Sequence, residues 1–283
     1  MASGIPRALA PALAFLFAAA GCTRDAFVSG YDTLATPGRA VALRAKLEHE
    51  GALGIHPNAH GKPLLYVLQG QPIGKGITLD EGVAALMYTP RELGNFTVEV
   101  GAAPEANLAV RPGSILMAVH KPTDEFLVVG IDGVCSNSSG MSAILKGPRD
   151  ISAMPGAADA LNTLAARYGI LYVTFRPDDF LLDTKEWLRI HGFPPGPTYF
   201  SRPPWDGLSS SAFKERLLRE LKAEWPGIVL GIGRDSSDTD AYRQNGLRAI
   251  TLEEDPEEVG TDPDGVEHLA TWDAIRNVIL RGR

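Results

Sequence analysis

The chain has 283 residues, 45% of them hydrophobic and 22% charged, with 21 Pro and 30 Gly, an ordinary composition for a folded protein and short of the level that signals disorder. Such a length fits one large domain or two small ones. A formal charge of −7 argues against a general nucleic-acid binder and against bulk attraction to anionic bilayers, so an anionic ligand has to be recognised by a local group of cations.

The first 22 residues read as a targeting segment. Arg7 supplies the positive start, residues 8–20 form an apolar stretch too short to span a bilayer, and Ala19-Ala20-Gly21-Cys22 has the form of a bacterial lipobox with Ala19 where Leu is preferred. Two outcomes fit: lipid on Cys22, or an ordinary signal cleaved nearby. The first would make the mature protein a lipid-anchored lipoprotein of the cell envelope. Cys135 would then be the one free thiol, with no intramolecular disulfide, and it reads as a small buried residue rather than a reactive one. Residues 23–38 are short, polar and turn-rich, the pattern of a linker.

Between residues 39 and 119 short alternating runs recur at 40–47, 63–68, 83–88, 95–100, 107–110 and 114–119, separated by turn-formers such as Gln69-Gly70-Gln71-Pro72. Strands at this spacing predict a small all-β sandwich. From residue 120 to 283 the pattern changes to strands at 126–131, 170–174, 228–232 and 248–252, alternating with amphipathic helices at 155–168, 179–191, 211–224, 236–245 and 266–280. This alternation predicts an α/β domain with a parallel sheet covered on both faces. Ligands in such sheets sit beyond the carboxyl ends of the strands. Those ends carry Asp132, Thr174 and the turn 231–235, so the candidate site lies there.

Asp132 follows the apolar run in FLVVGIDGVC and precedes Gly133, which suits a plain Asp-Gly turn or a site carboxylate. Thr174 ends the next strand in LYVTFRP, just before Arg176. Lys214, in SAFKERLLREL, fits a solvated helix face as well as a site lysine. In GIGRDSSDTDAY, Arg234 is a fixed cation that cannot ligate metal but can grip a phosphate with two parallel hydrogen bonds, and Asp238 could pair with it or hold an ion. His56 and His60 lie in a loop rich in Pro and Gly, where helical metal-ligand geometry is not expected. Arg202-Pro203-Pro204-Trp205 reads as an aromatic loop, open to a membrane or lid contact as well as to ordinary packing, and 253–258 as a solvated acidic one.

On FLVVGIDGV, ILYVTFRP, WLRIHGFPPGP, FKERLL and GIGRDSSDTDAYRQNGL, the stretch from Phe126 to Leu252 resembles the lipin-type phosphatidate phosphatase domain of the haloacid dehalogenase superfamily. The segment 39–119 looks like the immunoglobulin-like module that precedes this domain in some bacterial relatives. The resemblance implies a first Asp as nucleophile, where this chain has Gly130, and a Thr where it has Val134. It also implies an Asn or Asp for Mg²⁺, where Arg234 stands. Asp132, Thr174, Lys214 and Asp238 match the motif positions. A glycine cannot form an aspartyl-phosphate. The same loss marks the lipin-like domain at the C-terminus of the Nir/RdgB phosphatidylinositol transfer proteins, whose role is to bind phosphatidic acid rather than cleave it.

The resemblance therefore implies a pseudophosphatase that binds phosphatidic acid or another phosphomonoester through Gly130, Asp132, Gly133, Thr174, Arg176, Lys214 and Arg234. No cofactor is expected; Asp132 and Asp238 are the residues left for Mg²⁺ if the ion binds. Two further readings stay open. One is a phosphatase with a rearranged site, in which Asp132 and Lys214 keep a catalytic role and Asp132 activates water. The other is an envelope interaction protein whose sandwich is the working part.

Overall fold

The computed structural model describes residues 26–51, 56–138, 148–202, 209–253 and 258–282. The targeting segment with Cys22, the Pro203–Trp205 part of the aromatic loop, and residues 254–257 of the acidic run lie outside them.

The first domain is a sandwich of two sheets. Strands β1 (Ala26–Tyr31), β3 (Val41–His49) and β6 (Val83–Tyr88) form a 3-stranded antiparallel sheet. Opposite it lie β2 (Thr33–Ala35), β8 (Gly113–Val119), β7 (Gly94–Ala102), β4 (Pro63–Leu68) and β5 (Gln71–Ile77), in that order. Alternation along the strands turns Leu43, Leu47, Tyr66, Val98, Ile115 and Met117 into the space between the sheets. The segment expected as a linker is a correction: residues 26–35 are β1 and β2, so only the first few residues after Cys22 remain to separate an anchor from the fold. The Gln71-Pro72 turn opens β5 rather than ending a strand, and the run 107–110 forms none. Asn107 takes a left-handed backbone (φ 49°) at the end of the short 3₁₀ turn Pro104–Ala106, which breaks the extended path there.

The second domain is a 7-stranded, mostly parallel sheet in the order β11 (Thr198–Ser201), β10 (Gly169–Pro177), β9 (Phe126–Gly130), β12 (Ile228–Gly233), β13 (Arg248–Leu252), β15 (Glu267–Leu269) and β14 (Gly260–Thr261). Period-2 alternation explains why β9 is apolar throughout. Leu127, Val129 and Ile131 pack with Trp187 and Trp272, whereas Phe126 and Val128 pack with Phe213 and Tyr242. Helices α1 (Ala157–Leu164), α2 (Leu181–Ile190) and α5 (Trp272–Arg281) cover the first face; α3 (Ser210–Glu224) and α4 (Ser236–Gln244) cover the second. Cys135 is fully buried and free, and burial pushes its thiol well up, as suits a structural cysteine. Among the described residues no helix is long and apolar enough to cross a membrane. The expected two-domain architecture is therefore observed, with β11, β14 and β15 added by tertiary context.

The domains are bolted together at Asp32, where the chain passes from β1 in one sheet to β2 in the other. Its buried carboxylate accepts from Leu116 N (2.7 Å) in β8 and from Thr198 N (3.3 Å) in β11, and it pairs with Lys185 Nζ (2.5 Å) on α2. Lys185 also donates to Ser114 O (2.9 Å) and Gly30 O (3.2 Å), which ties α2 to the sandwich. Nearby, Tyr31 donates to Asp178 (2.6 Å), just past β10. Burial first, then Asp178, pushes the Tyr31 hydroxyl far above its ordinary value.

Candidate functional site

Counted within the second domain, the strand order is 3-2-1-4-5-7-6, which reverses direction between β9 and β12. The crevice at that reversal, beyond the strands' carboxyl ends, is where this architecture places ligands. Gly130 and Asp132 leave β9 there, Thr174 and Arg176 end β10, and Arg234 leaves β12. The eight candidate residues converge.

After β9 the chain turns back sharply, with Cys135 N (3.0 Å) and Ser136 N (2.9 Å) both donating to Ile131 O. Gly133 takes φ +72°, a left-handed conformation that suits glycine, and the Arg234 side chain occupies the space a Cβ would need there. At Gly130 an added Cβ would stand 3.2 Å from Val134 Cγ2, 3.6 Å from Ile232 O and 3.8 Å from Asp238 Oδ2. Val134 is buried and its carbonyl is pinned by Trp272 Nε1 at 2.9 Å, so it cannot easily step aside. A Cβ at 130 would therefore be tight against Val134, which would have to give by a few tenths of an ångström.

Asp132 is fully engaged. Its Oδ2 accepts from Thr174 Oγ1 (2.6 Å), and its Oδ1 accepts from Arg176 Nη2 (2.7 Å) and Nε (2.9 Å). The Arg176 side chain is only 4% exposed and is braced by Thr184 Oγ1 (3.2 Å) on α2. The expectation that Thr174 and Arg176 offer their donors to a phosphate is corrected by this geometry, because both are committed to Asp132. A plain Asp-Gly turn would need neither partner.

A second group forms across the crevice. Lys214, which a solvated helix face would explain equally well, is buried and pairs with Asp238 Oδ1 at 2.5 Å. It also donates to Ser237 Oγ (3.2 Å), which donates to Asp235 Oδ1 (2.6 Å), the N-cap of α4. Burial works to raise the Asp235 carboxyl, but the Ser237 hydroxyl, Lys214 and backbone N–H groups outweigh it and hold it below its ordinary value. Asp238 Oδ2 accepts from the Arg234 backbone N (3.0 Å), so the expected pairing of Asp238 with the guanidinium gives way to Lys214. The guanidinium instead donates from Nη1 to Gly133 O (3.1 Å), bridging the β12 and β9 loops over the crevice. Sequence reasoning missed Thr184, Asp235 and Ser237. The Asp235-x-x-Asp238 pattern at a helix start was the available signal for the last two.

Magnesium demands oxygen ligands in near-octahedral array. Here Gly130 offers none, Asp132 is held by Arg176 and Thr174, Asp238 is held by Lys214, and a cation stands at 234. This donor set does not fit Mg²⁺, and among the described residues no group of three or more His, Cys, Asp or Glu could hold a metal ion. In sequence terms the three cations Arg176, Lys214 and Arg234 stand beside the three carboxylates Asp132, Asp235 and Asp238.

Residues 127–251 match the family described as PITM 1-3, LNS2 domain, a lipin-like, haloacid-dehalogenase-like domain. Among curated proteins none matches the chain. Of the solved structures, the haloacid dehalogenase-like family protein SP0104 from Streptococcus pneumoniae is similar at 14% identity, covering 56% of this chain and 100% of its own, with a TM-score of 0.39. The CARDB domain of PF1109 from Pyrococcus furiosus is 13% identical over 33% of this chain and 91% of its own, TM-score 0.24. The fibronectin(III)-like modules of Clostridium thermocellum CbhA are 14% identical over 35% of this chain and 48% of theirs, TM-score 0.25.

Proposed function

We propose that the second domain is a pseudophosphatase that binds a phosphomonoester, with phosphatidic acid as the lipid of choice, and does not turn it over. The observation that carries this reading is the glycine at the carboxyl end of β9: Gly130 offers no side chain to attack phosphorus at the point where the crevice opens. Around it the cations survive, with Lys214 turned inward and Arg234 held across the crevice. A guanidinium at this point favours retaining a phosphate, because it supplies a charge-assisted contact without metal. The likeness to the PITM LNS2 family supports the same ligand class, through the resemblance to Nir/RdgB domains.

A rearranged mechanism in which Asp132 activates water finds less support. Both oxygens of Asp132 already accept, from Thr174 and from two Arg176 nitrogens, so the carboxylate is not directed at a water. Purified protein, with Mg²⁺ supplied, is therefore expected to release no phosphate above blank from phosphatidic acid or p-nitrophenyl phosphate. Magnesium-dependent release that vanishes in Asp132→Asn would overturn the pseudophosphatase reading.

On this proposal Cys22 carries lipid and holds the protein to the envelope membrane, which raises the effective concentration of a bilayer ligand. Because β1 begins at Ala26, the tether is short. Cys22→Ser protein is expected to leave the membrane fraction while keeping the far-ultraviolet circular dichroism of the wild type. Unchanged partition of that variant would remove the anchor from the account.

A further inference from the structure

Between the domains lies a cleft of about 360 Å³, walled on one side by the outer face of the β1-β3-β6 sheet and on the other by β11 and α3. Interfaces between domains are where small-molecule sites most often form, and this volume falls within their range. Its two ends differ. At one end stand Arg44 on β3, register partner of Tyr31, and Arg202 after β11, whose charge acts on the same Tyr31 hydroxyl. Arg44 is exposed and has no hydrogen-bond or ion-pair partner among the described residues.

Of the carboxylates that line the cleft, Asp32 is turned to Lys185 and Glu220 to Arg216 (3.7 Å). Further along, α3 presents Phe213, Leu217 and Leu221 at helical spacing, and Ala42 and Phe200 line the same cleft. At the far rim Glu224 is exposed. Arg44, without a partner among the described residues and beside the apolar strip of α3, suits neither a bare inorganic anion nor a neutral hydrocarbon. At roughly 30 Å³ for each water-sized group, the cleft has the volume of about a dozen such groups.

We propose that this cleft binds a single-chain anionic amphiphile of about the size of dodecanoate, its acidic group against Arg44 and Arg202 and its chain along Leu217 and Leu221. The site is separate from the crevice at Asp132: Phe213 packs on Phe175, whose neighbours Thr174 and Arg176 face the other way onto Asp132. It does not depend on the phosphate reading.

The test is calorimetric titration of the chain from Thr23 onward, which retains both domains, with dodecanoate below its micelle concentration. Saturable one-to-one binding is expected for the wild type. Dodecanol and butyrate should each bind far more weakly, since each lacks one half of the recognition. Arg44→Ala should weaken dodecanoate binding roughly tenfold by removing a charge-assisted contact. Ala42→Trp, which fills the trough from the outer sheet face, should abolish it, and Arg234→Ala should leave it unchanged. No saturable binding by the wild type would overturn the proposal. So would loss in Arg234→Ala with binding kept in Ala42→Trp, which would put the carboxylate in the crevice at Asp132. Should Ala42→Trp fail to fold, Arg44→Ala decides alone, and unchanged affinity there counts against the site.

Discussion

Asp32→Ala is expected to destabilise the protein by about 3–5 kcal/mol, the cost typical of removing one partner from a buried ion pair. The loss leaves Lys185 without its carboxylate and two buried backbone donors, Leu116 N and Thr198 N, without an acceptor. Because these partners lie in both domains, the effect should appear as a change of cooperativity as well as of midpoint. Wild type should unfold in a single calorimetric transition, and Asp32→Ala in two, as the sandwich and the α/β domain part company. A single transition at the wild-type midpoint would mean that Asp32 does not hold the interface.

Arg176→Ala should cost about 3 kcal/mol, the low end for a buried pair because the Asp132 side chain keeps 21% exposure. The change leaves a carboxylate in a site with one hydroxyl for company. The double variant Arg176→Ala/Asp132→Ala should recover much of the loss, since no uncompensated charge remains. Urea midpoints of the two single variants and the double close this cycle. Additive single effects would show that the pair is not coupled and that Asp132 is held by the loop alone. Both variants bear on the ligand site too: Arg176 fixes the direction of Asp132, and Asp178, two residues on, fixes the sandwich through Tyr31.

The central strands were legible in the chain because burial on both faces leaves an uninterrupted apolar run, as in Phe126–Gly130 and Ile228–Gly233. The elements that escaped are those whose stability is borrowed. Strand β1 hides in a polar, turn-rich stretch, yet all but its last residue are buried, because Arg111 and β3 supply partners from far along the chain. Strand β5 begins with exposed Gln71 and Pro72, which local propensity reads as a turn, and it forms as the edge of a ladder with β4.

The site was legible in its members and illegible in their pairings. Residue type and strand-end position bring Asp132, Thr174, Lys214, Arg234 and Asp238 to one crevice. Which cation takes which carboxylate depends on helix placement: α3 carries Lys214 in to Asp238 and thereby leaves the Arg234 guanidinium for Gly133. The same limit explains Lys185, whose partner Asp32 is supplied only once the sandwich is set beside its helix. Val134 is a further case. Alone it is a buried valine in a turn; only the fold places its Cγ2 3.2 Å from where a Cβ at Gly130 would stand.

The most direct test of the account is flotation of the chain from Thr23 with liposomes of phosphatidylcholine, with and without phosphatidic acid, for the wild type and Arg234→Ala. A charge-assisted contact contributes about 1.5–3 kcal/mol, or roughly tenfold or more in affinity. The wild type is expected to float with phosphatidic acid liposomes and not with phosphatidylcholine alone, and Arg234→Ala to need at least about tenfold more phosphatidic acid for the same bound fraction. Equal flotation on both lipids, or equal flotation of wild type and Arg234→Ala, would contradict a phosphate site at the carboxyl ends of β9 and β12.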